Sequence, residues 1–180
     1  MHAAHTPRTE VSLAFVDSAR EYLSKHYLPK IERCLEQLSD EQIWWRPNQE
    51  SNSIGNLILH LCGNARQWII SGVGGSEDNR QRDTEFNQTE PIASAQLVEL
   101  LRSTINEIDL VLASLSPSSL LQRRKIQGLE VDTVEAIFHV TEHFSMHTGQ
   151  IILLTKLIGG KDLQFYDFSS GAPHHRWETT

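Results

Sequence analysis

The sequence predicts an all-α protein, a four-helix bundle, and three observations predict it. Apolar residues recur at intervals of three and four in four separate stretches, the mark of amphipathic helices. Serine, aspartate and glycine stand where those stretches start and stop, as helix caps do. Little of the remainder alternates as strands do, and no internal repeat is visible, so packing four apolar stripes together is the economical architecture.

At 180 residues the chain suits one domain, large enough to bury a core without staples. That domain spans 1–180, with its core over about 10–160 and an aromatic C-terminal tail over 161–180. Hydrophobic content of 39% and charged content of 22% are ordinary for a globular fold. A formal net charge of −7 offers no basic field to nucleic acid, and the cluster Arg123, Arg124, Lys125 is too short to reverse that. Cys34 and Cys62 lie among apolar neighbours and belong to no C-x-x-C pair, which predicts two buried, reduced thiols. The start, M-H-A-A-H-T-P-R-T-E, lacks the apolar stretch of a signal peptide, and no run approaches the ~20 apolar residues of a membrane span. A cytoplasmic protein with neither nucleic acid nor membrane as partner is the expectation.

After a frayed N-terminus, Phe15, Val16, Ala19, Leu23, Ile31 and Leu35 belong to one long helix that Pro29 kinks or restarts. Ser39 and Gln42 make a capping box for the short turn S-D-E-Q-I-W-W, which Arg46-Pro47 ends. Trp44 and Trp45 are expected to plug the core, although aromatics also wall ligand pockets. The second helix is capped near Ser53 and runs to the glycines at 72, 74 and 75. Apolar side chains wrap most of its circumference and leave a wedge of Ser53, Asn56, His60, Asn64 and Gln67. Periodicity alone reads that wedge as a solvated face and leaves open a polar strip lining an internal site.

Residues 72–91 read as a flexible polar connection with charges of both signs. A third helix runs from Pro91 or Ser94 to Leu115, with Leu97, Leu100, Leu101, Ile105, Ile108, Leu112 and Leu115 inward. The segment L-Q-R-R-K-I-Q-G-L-E-V-D-T predicts a small hairpin or irregular crossing turned at Gly128. The fourth helix starts near Asp132 or Thr133 and stops at Gly159-Gly160; its outer face shows Phe138 and Ile152, which points to a homodimer contact. The tail holds too many aromatics for disorder and should pack on a bundle end or a neighbouring subunit, with His174 and His175 exposed.

The fourth helix carries F-H-V-T-E-H-F-S-M-H-T-G-Q-I, with His139, His143 and His147 at intervals of four. On a helix that spacing stacks them on one face with about 40° of drift per step, and two imidazoles one turn apart can grip one metal ion. Ala136, Val140, Leu154, Leu157 and Ile158 share that face within roughly 60°, as does Gln150, so the histidines are read as inward. An inward imidazole must be hydrogen-bonded or bound to metal, and both readings stand at this point. The zinc-protease pattern H-E-x-x-H is absent, because Phe144 occupies the place of its glutamate.

The segments I-G-N-L-I-L-H-L-C-G-N-A-R-Q-W-I and H-V-T-E-H-F-S-M-H-T-G-Q-I, with the I-W-W-R-P turn, resemble the hallmark segments of the DinB-like superfamily. That group includes bacillithiol S-transferases and mycothiol-dependent maleylpyruvate isomerases, and the resemblance covers the chain from the first helix through the fourth. It implies a four-helix bundle, often dimeric, with a divalent metal held by one histidine of the second helix and two of the fourth. Residue by residue, those ligands are His60, His143 and His147, which turns the second-helix wedge inward. His139 then lies beside the metal rather than on it, as does Gln150.

Three neutral imidazoles would leave a divalent ion with open positions, the pattern of a catalytic site. Zinc so held lowers the pKa of bound water to about 7 or takes a thiol as thiolate; nickel, iron and manganese also suit imidazole. The expectation is therefore a metal-dependent enzyme transferring a low-molecular-weight thiol or hydrolysing a small substrate. Asn56, Asn64 and Gln67 are candidates to orient substrate or water. The competing readings are a noncatalytic, stress-related metal- or ligand-binding dimer and a metal-free bundle with hydrogen-bonded histidines.

Overall fold

The computed structural model describes residues 7–177, so the expectation of a frayed N-terminus falls in part outside the described residues. The first rod is α1 (Pro7–Glu21), a π-helical turn (Tyr22–Tyr27) and α2 (Leu28–Leu35), continuous through Pro29. Pro29 sits in the first turn of α2, where a missing N–H is tolerated, so a second α-helical segment starts there as expected, joined to α1 through a widened turn. The second rod is α4 (Ile54–Ala65), extended by a π-helical turn (Arg66–Ser71); the short α3 (Asp40–Ile43) joins the two rods. Two further rods are α6 (Ser94–Ala113) and α7 (Thr133–Gly159), and each packs against both the first rod and α4. The result is a four-helix bundle with α4 and α7 adjacent.

Caps hold these rods in phase. Ser39 with Gln42, Ser53 with Asn56, and Asp132 with Glu135 each form a reciprocal capping box. At the far end of α7, Gly160 adopts φ 61°, the left-handed conformation that closes a helix and that glycine tolerates best. The expected hairpin is present as β1 (Arg123–Ile126) and β2 (Leu129–Asp132), antiparallel, with Gln127 and Gly128 at positive φ in its turn. It delivers the chain directly into the Asp132 cap.

The core is continuous through the bundle, with Leu23, Ile31, Ile58, Leu61, Leu101, Ile105 and Phe144 fully buried. Trp44 plugs it as expected: the indole N–H donates to the Ile92 carbonyl at 3.0 Å, and the ring lies where a Cβ on Gly55 would come within 2.7 Å. Trp45 does not, being 45% exposed, because adjacent residues at the end of α3 point about 100° apart and only one can face inward. Both thiols are buried, and burial pushes Cys34 up to about 11 and Cys62 up to about 12.

The tail packs on the first rod. Pro29 has no N–H to offer the carbonyl of Lys25, which accepts from the indole of Trp177 at 3.0 Å, and Arg33 donates to the Leu163 carbonyl at 2.6 Å. Two short strands, β3 (Tyr166–Asp167) and β4 (His174–His175), pair within the tail; His174 is exposed as expected, while His175 is half-buried and stacks on Trp177. The connection read as flexible instead contains α5 (Arg82–Asn87), packed on α4. No helix among the described residues is long and apolar enough to cross a membrane.

Candidate metal centre

The polar wedge of α4 faces inward. Asn56 is fully buried, His60 is 6% exposed and Asn64 is 4% exposed, so the solvated-face alternative is overturned. The physical reason is that α4 has no free side there: α6 and α7 cover its apolar flanks and α5 lies along the wedge. Asn56 is what holds that cover down. Its Oδ1 accepts from Ser53 and from Arg46 Nη2, and its Nδ2 donates to the carbonyls of Glu85 and Gln88, each at 2.9 Å. Its amide is occupied by capping and loop attachment, so the substrate-orienting role expected of it gives way to a structural one.

On α7 the buried stripe is centred on Ile137, Val140, Phe144 and Ile151, which corrects the face inferred from periodicity. Leu157, expected inward, is 65% exposed, and the histidines lie at the margin of the stripe. That margin is the flank that meets α4. His143 Nε2 lies 2.9 Å from His60 Nε2, and the ring centroids of His143 and His147 are 4.4 Å apart. One ring nitrogen from each of His60, His143 and His147 falls within 4.8 Å of the others, a group that can hold a metal ion.

Hydrogen-bond partners assign the tautomers of two of the three rings. Glu85 Oε2 accepts from His60 Nδ1 at 2.9 Å and Gln150 Oε1 accepts from His147 Nδ1 at 2.6 Å, which places both ring protons on Nδ1; Arg80 Nη2, 3.2 Å from His60 Nδ1, makes its shorter bond by donating to Glu85 Oε2 at 2.9 Å. Each ring therefore keeps a lone pair on Nε2, and the Nε2 of His147 is buried without any hydrogen-bond partner. An unpaired buried acceptor is costly, and a cation among the three rings would satisfy it. The donor set thus fits a divalent ion. Burial lowers the pKa of His147 and His139, and burial with the neighbouring imidazoles pushes His143 down to about 3, so the two α7 rings of the group are neutral at pH 7 as ligation requires.

Glu85 and Arg80 are the residues that sequence reasoning missed. Arg80 donates to Glu85 through Nε at 2.7 Å and Nη2 at 2.9 Å, with both side chains almost wholly buried. Burial alone would raise the Glu85 pKa, but hydrogen bonds from Arg80 and His60 outweigh it and hold the carboxyl below its usual value. Arg80 Nη1 also donates to Gln67 Oε1 at 2.9 Å, and Gln67 Nε2 to Asp78 at 2.7 Å, so Gln67 ties down the connection. No periodicity marks this segment. The available signal was Gly63, a glycine in a helix interior, where a Cβ would lie 2.0 Å from Glu85 Oε1.

Asn64 Nδ2 lies 3.2 Å from His139 Nε2, which accepts, and His139 packs on Trp68 with ring planes tilted by 36° and centroids 4.0 Å apart. His139 stands outside the ligand group, one turn along α7. On the other side, Gln150 borders a cavity of about 330 Å³ lined also by Pro47, Glu50, Ser51, Asn52, Leu57, Leu153 and Leu154.

Residues 10–172 match the family described as protein of unknown function (DUF1572). Among solved structures, a DinB-like protein from Bacillus cereus ATCC 10987 is similar at 17% identity and a TM-score of 0.62, covering 81% of this chain and 91% of that one. A conserved protein from Enterococcus faecalis is similar at 17% identity and a TM-score of 0.65, over 88% and 100% of the two chains. A DinB-like protein from Bacillus subtilis is similar at 18% identity and a TM-score of 0.63, over 83% and 97%. These likenesses establish the fold. No curated protein matches the chain.

Proposed function

The chain belongs to the DUF1572 family, a DinB-like family, and from its convergent imidazoles we propose that it is a divalent-metal-dependent enzyme acting on a small molecule. The observation that carries this reading is the buried, unpartnered Nε2 of His147, set beside His60 and His143 with the Nδ1 protons of His60 and His147 already committed elsewhere. Zinc or nickel is the expected ion, and imidazole also suits iron and manganese. When bound, the ion would supply Lewis acidity toward water or a low-molecular-weight thiol, for hydrolysis or thiol S-transfer.

The chain's own residues do the rest. His60, His143 and His147 bring three donors and no negative charge, while Glu85 and Gln150 fix ring orientation. The cavity beside Gln150 is the proposed substrate site: Glu50, Ser51 and Asn52 offer polar contacts, and Leu57, Leu153 and Leu154 an apolar wall that limits water. Exposed Phe138, Met146 and Leu157 on α7 support a homodimer contact, testable by light scattering in solution, whereas Ile152 is half-buried against the core. The two buried thiols support a reducing, cytoplasmic setting.

Elemental mass spectrometry on untagged wild-type protein and on His60→Ala, His143→Ala and His147→Ala tests the metal. About one transition-metal ion per chain, lost in each variant, is expected; wild-type protein that takes up no metal after incubation with zinc or nickel overturns the reading. Turnover with a thiol cosubstrate or a hydrolysable ester by the loaded protein then separates an enzyme from a noncatalytic metal-binding dimer.

A further inference from the structure

His60 is held by a residue from outside the helices that carry the imidazoles. Glu85 lies on α5, 25 positions along the chain, and reaches His60 Nδ1 at 2.9 Å with its other contacts taken by Arg80. The glycine at 63 leaves room for this pair against α4, since a Cβ there would meet Glu85 Oε1 at 2.0 Å and Arg80 Nε at 3.2 Å. A glycine in a helix interior weakens the helix, so its presence opposite a buried Arg–Glu pair argues for a space kept for that pair. The same segment is fastened through its backbone, by Asn56 to the carbonyls of Glu85 and Gln88 and by Arg46 to those of Phe86 and Gln88. Nothing in the segment's own sequence makes a large apolar face, and among 82–90 only Glu85 is buried. It is held down by polar contacts, to its backbone carbonyls from Asn56 and Arg46 and to the Glu85 carboxylate from His60 and Arg80.

We propose that Glu85 is a positioning residue for His60, and that docking of the segment around α5 completes the metal centre, so that metal affinity and segment docking are linked. The proposal rests on the metal reading above for its ligand and on the Glu85–His60–Arg80 geometry for its substance. With Glu85 in place, the His60 proton is held on Nδ1 and the Nε2 lone pair faces His143 and His147; with the segment undocked, His60 is free to choose the other tautomer and to rotate. Linkage is reciprocal. Whatever factor docking of the segment contributes to metal affinity, bound metal must return to docking.

The test uses the full chain and zinc. Zinc affinity is measured by competition with a chromophoric chelator for wild type, Glu85→Gln, and Asp83→Asn, the last being an exposed carboxylate of the same segment whose loss changes the charge equally. Glu85→Gln should weaken binding about 10–100-fold while Asp83→Asn leaves it within about threefold. Amide exchange of residues 80–88 in wild type should slow on saturation with zinc, and by much less in Glu85→Gln. Equal zinc affinity in wild type and Glu85→Gln, an equal loss in Asp83→Asn, or exchange unmoved by zinc would overturn the proposal. If wild type binds no metal, the proposed function fails separately, and nitrogen NMR of the metal-free protein decides the positioning role. A His60 proton on Nδ1 that becomes mixed in Glu85→Gln supports it, and a proton on Nε2 in wild type overturns it. Wild-type exchange and tautomer readings stand even where the variant folds poorly.

Discussion

Alanine at position 63 would raise the helix propensity of α4 by about 1 kcal/mol. Its Cβ, however, would lie 2.0 Å from Glu85 Oε1 and 2.8 Å from Glu85 Cδ, distances at which the carboxylate must shift from its place against Arg80. Both members of the Arg80–Glu85 pair are buried, with side-chain exposures of 4% and 9%, so a displaced carboxylate leaves the guanidinium short of its partner. Losing one partner of a buried pair costs about 3–5 kcal/mol, and subtracting the propensity gain leaves Gly63→Ala destabilised by about 2–4 kcal/mol. At roughly 2–4 °C per kcal/mol for a chain of this size, Tm should fall by roughly 4–16 °C. Calorimetry and urea unfolding of metal-free protein read this directly, and the pair Gly63→Ala with Glu85→Ala supplies the control. Once Glu85 is truncated, alanine at 63 should cost nothing further and recover part of its propensity gain. Gly63→Ala as stable as wild type, or additive with Glu85→Ala, would refute the account of the glycine.

Asn56→Ala should lose about 2–4 kcal/mol in chemical unfolding, because it strips the buried partner of the Ser53 cap, takes the side-chain donor from the Glu85 carbonyl and leaves Arg46 alone to hold the loop carbonyls. Gly160→Ala places a side chain at φ 61° and should cost about 1 kcal/mol, seen as a lower Tm with no change in metal content. Acid should destabilise the metal-free protein. His143 has its pKa lowered from 6.5 to about 3, so the unfolded chain binds the extra proton and stability declines as pH falls from about 6.5 toward 3. His139 and His147 shift the same way, and Glu85, also lowered, adds a further loss below 4.5. Tm measured across that range, flatter in His143→Gln, checks the sign. Bound zinc should be released over the same acid range, as protons compete for the rings.

Much of the scaffold was legible in local chemistry. Ser39, Ser53 and Asp132 act as caps because a short side-chain oxygen satisfies an orphan N–H whatever packs nearby, and Gly160 stops α7 because of its own backbone freedom. The two α7 histidines of the centre were visible from their spacing, and His60 came from the resemblance of two segments. Less legible were orientations. The α7 stripe was misplaced because it was centred on His143, and Leu157, apolar by type, lies roughly 100–160° round the helix from Ile137, Val140 and Phe144; Trp44 and Trp45 are indistinguishable until α3 is phased against α4. Glu85 and Arg80 sit in a segment whose docking depends on Asn56 and Arg46, far off in sequence, so no local pattern announces them.

By itself the sequence determined how many rods there are, where they begin and end, and that His143 and His147 stack one turn apart, since these follow from periods and caps that act within a few residues. The tertiary structure decided the fate of the α4 wedge. A helix apolar around most of its circumference cannot say which side is covered, and only the packing of α7 and α5 against it turned His60 toward two other imidazoles and set a buried carboxylate on its Nδ1.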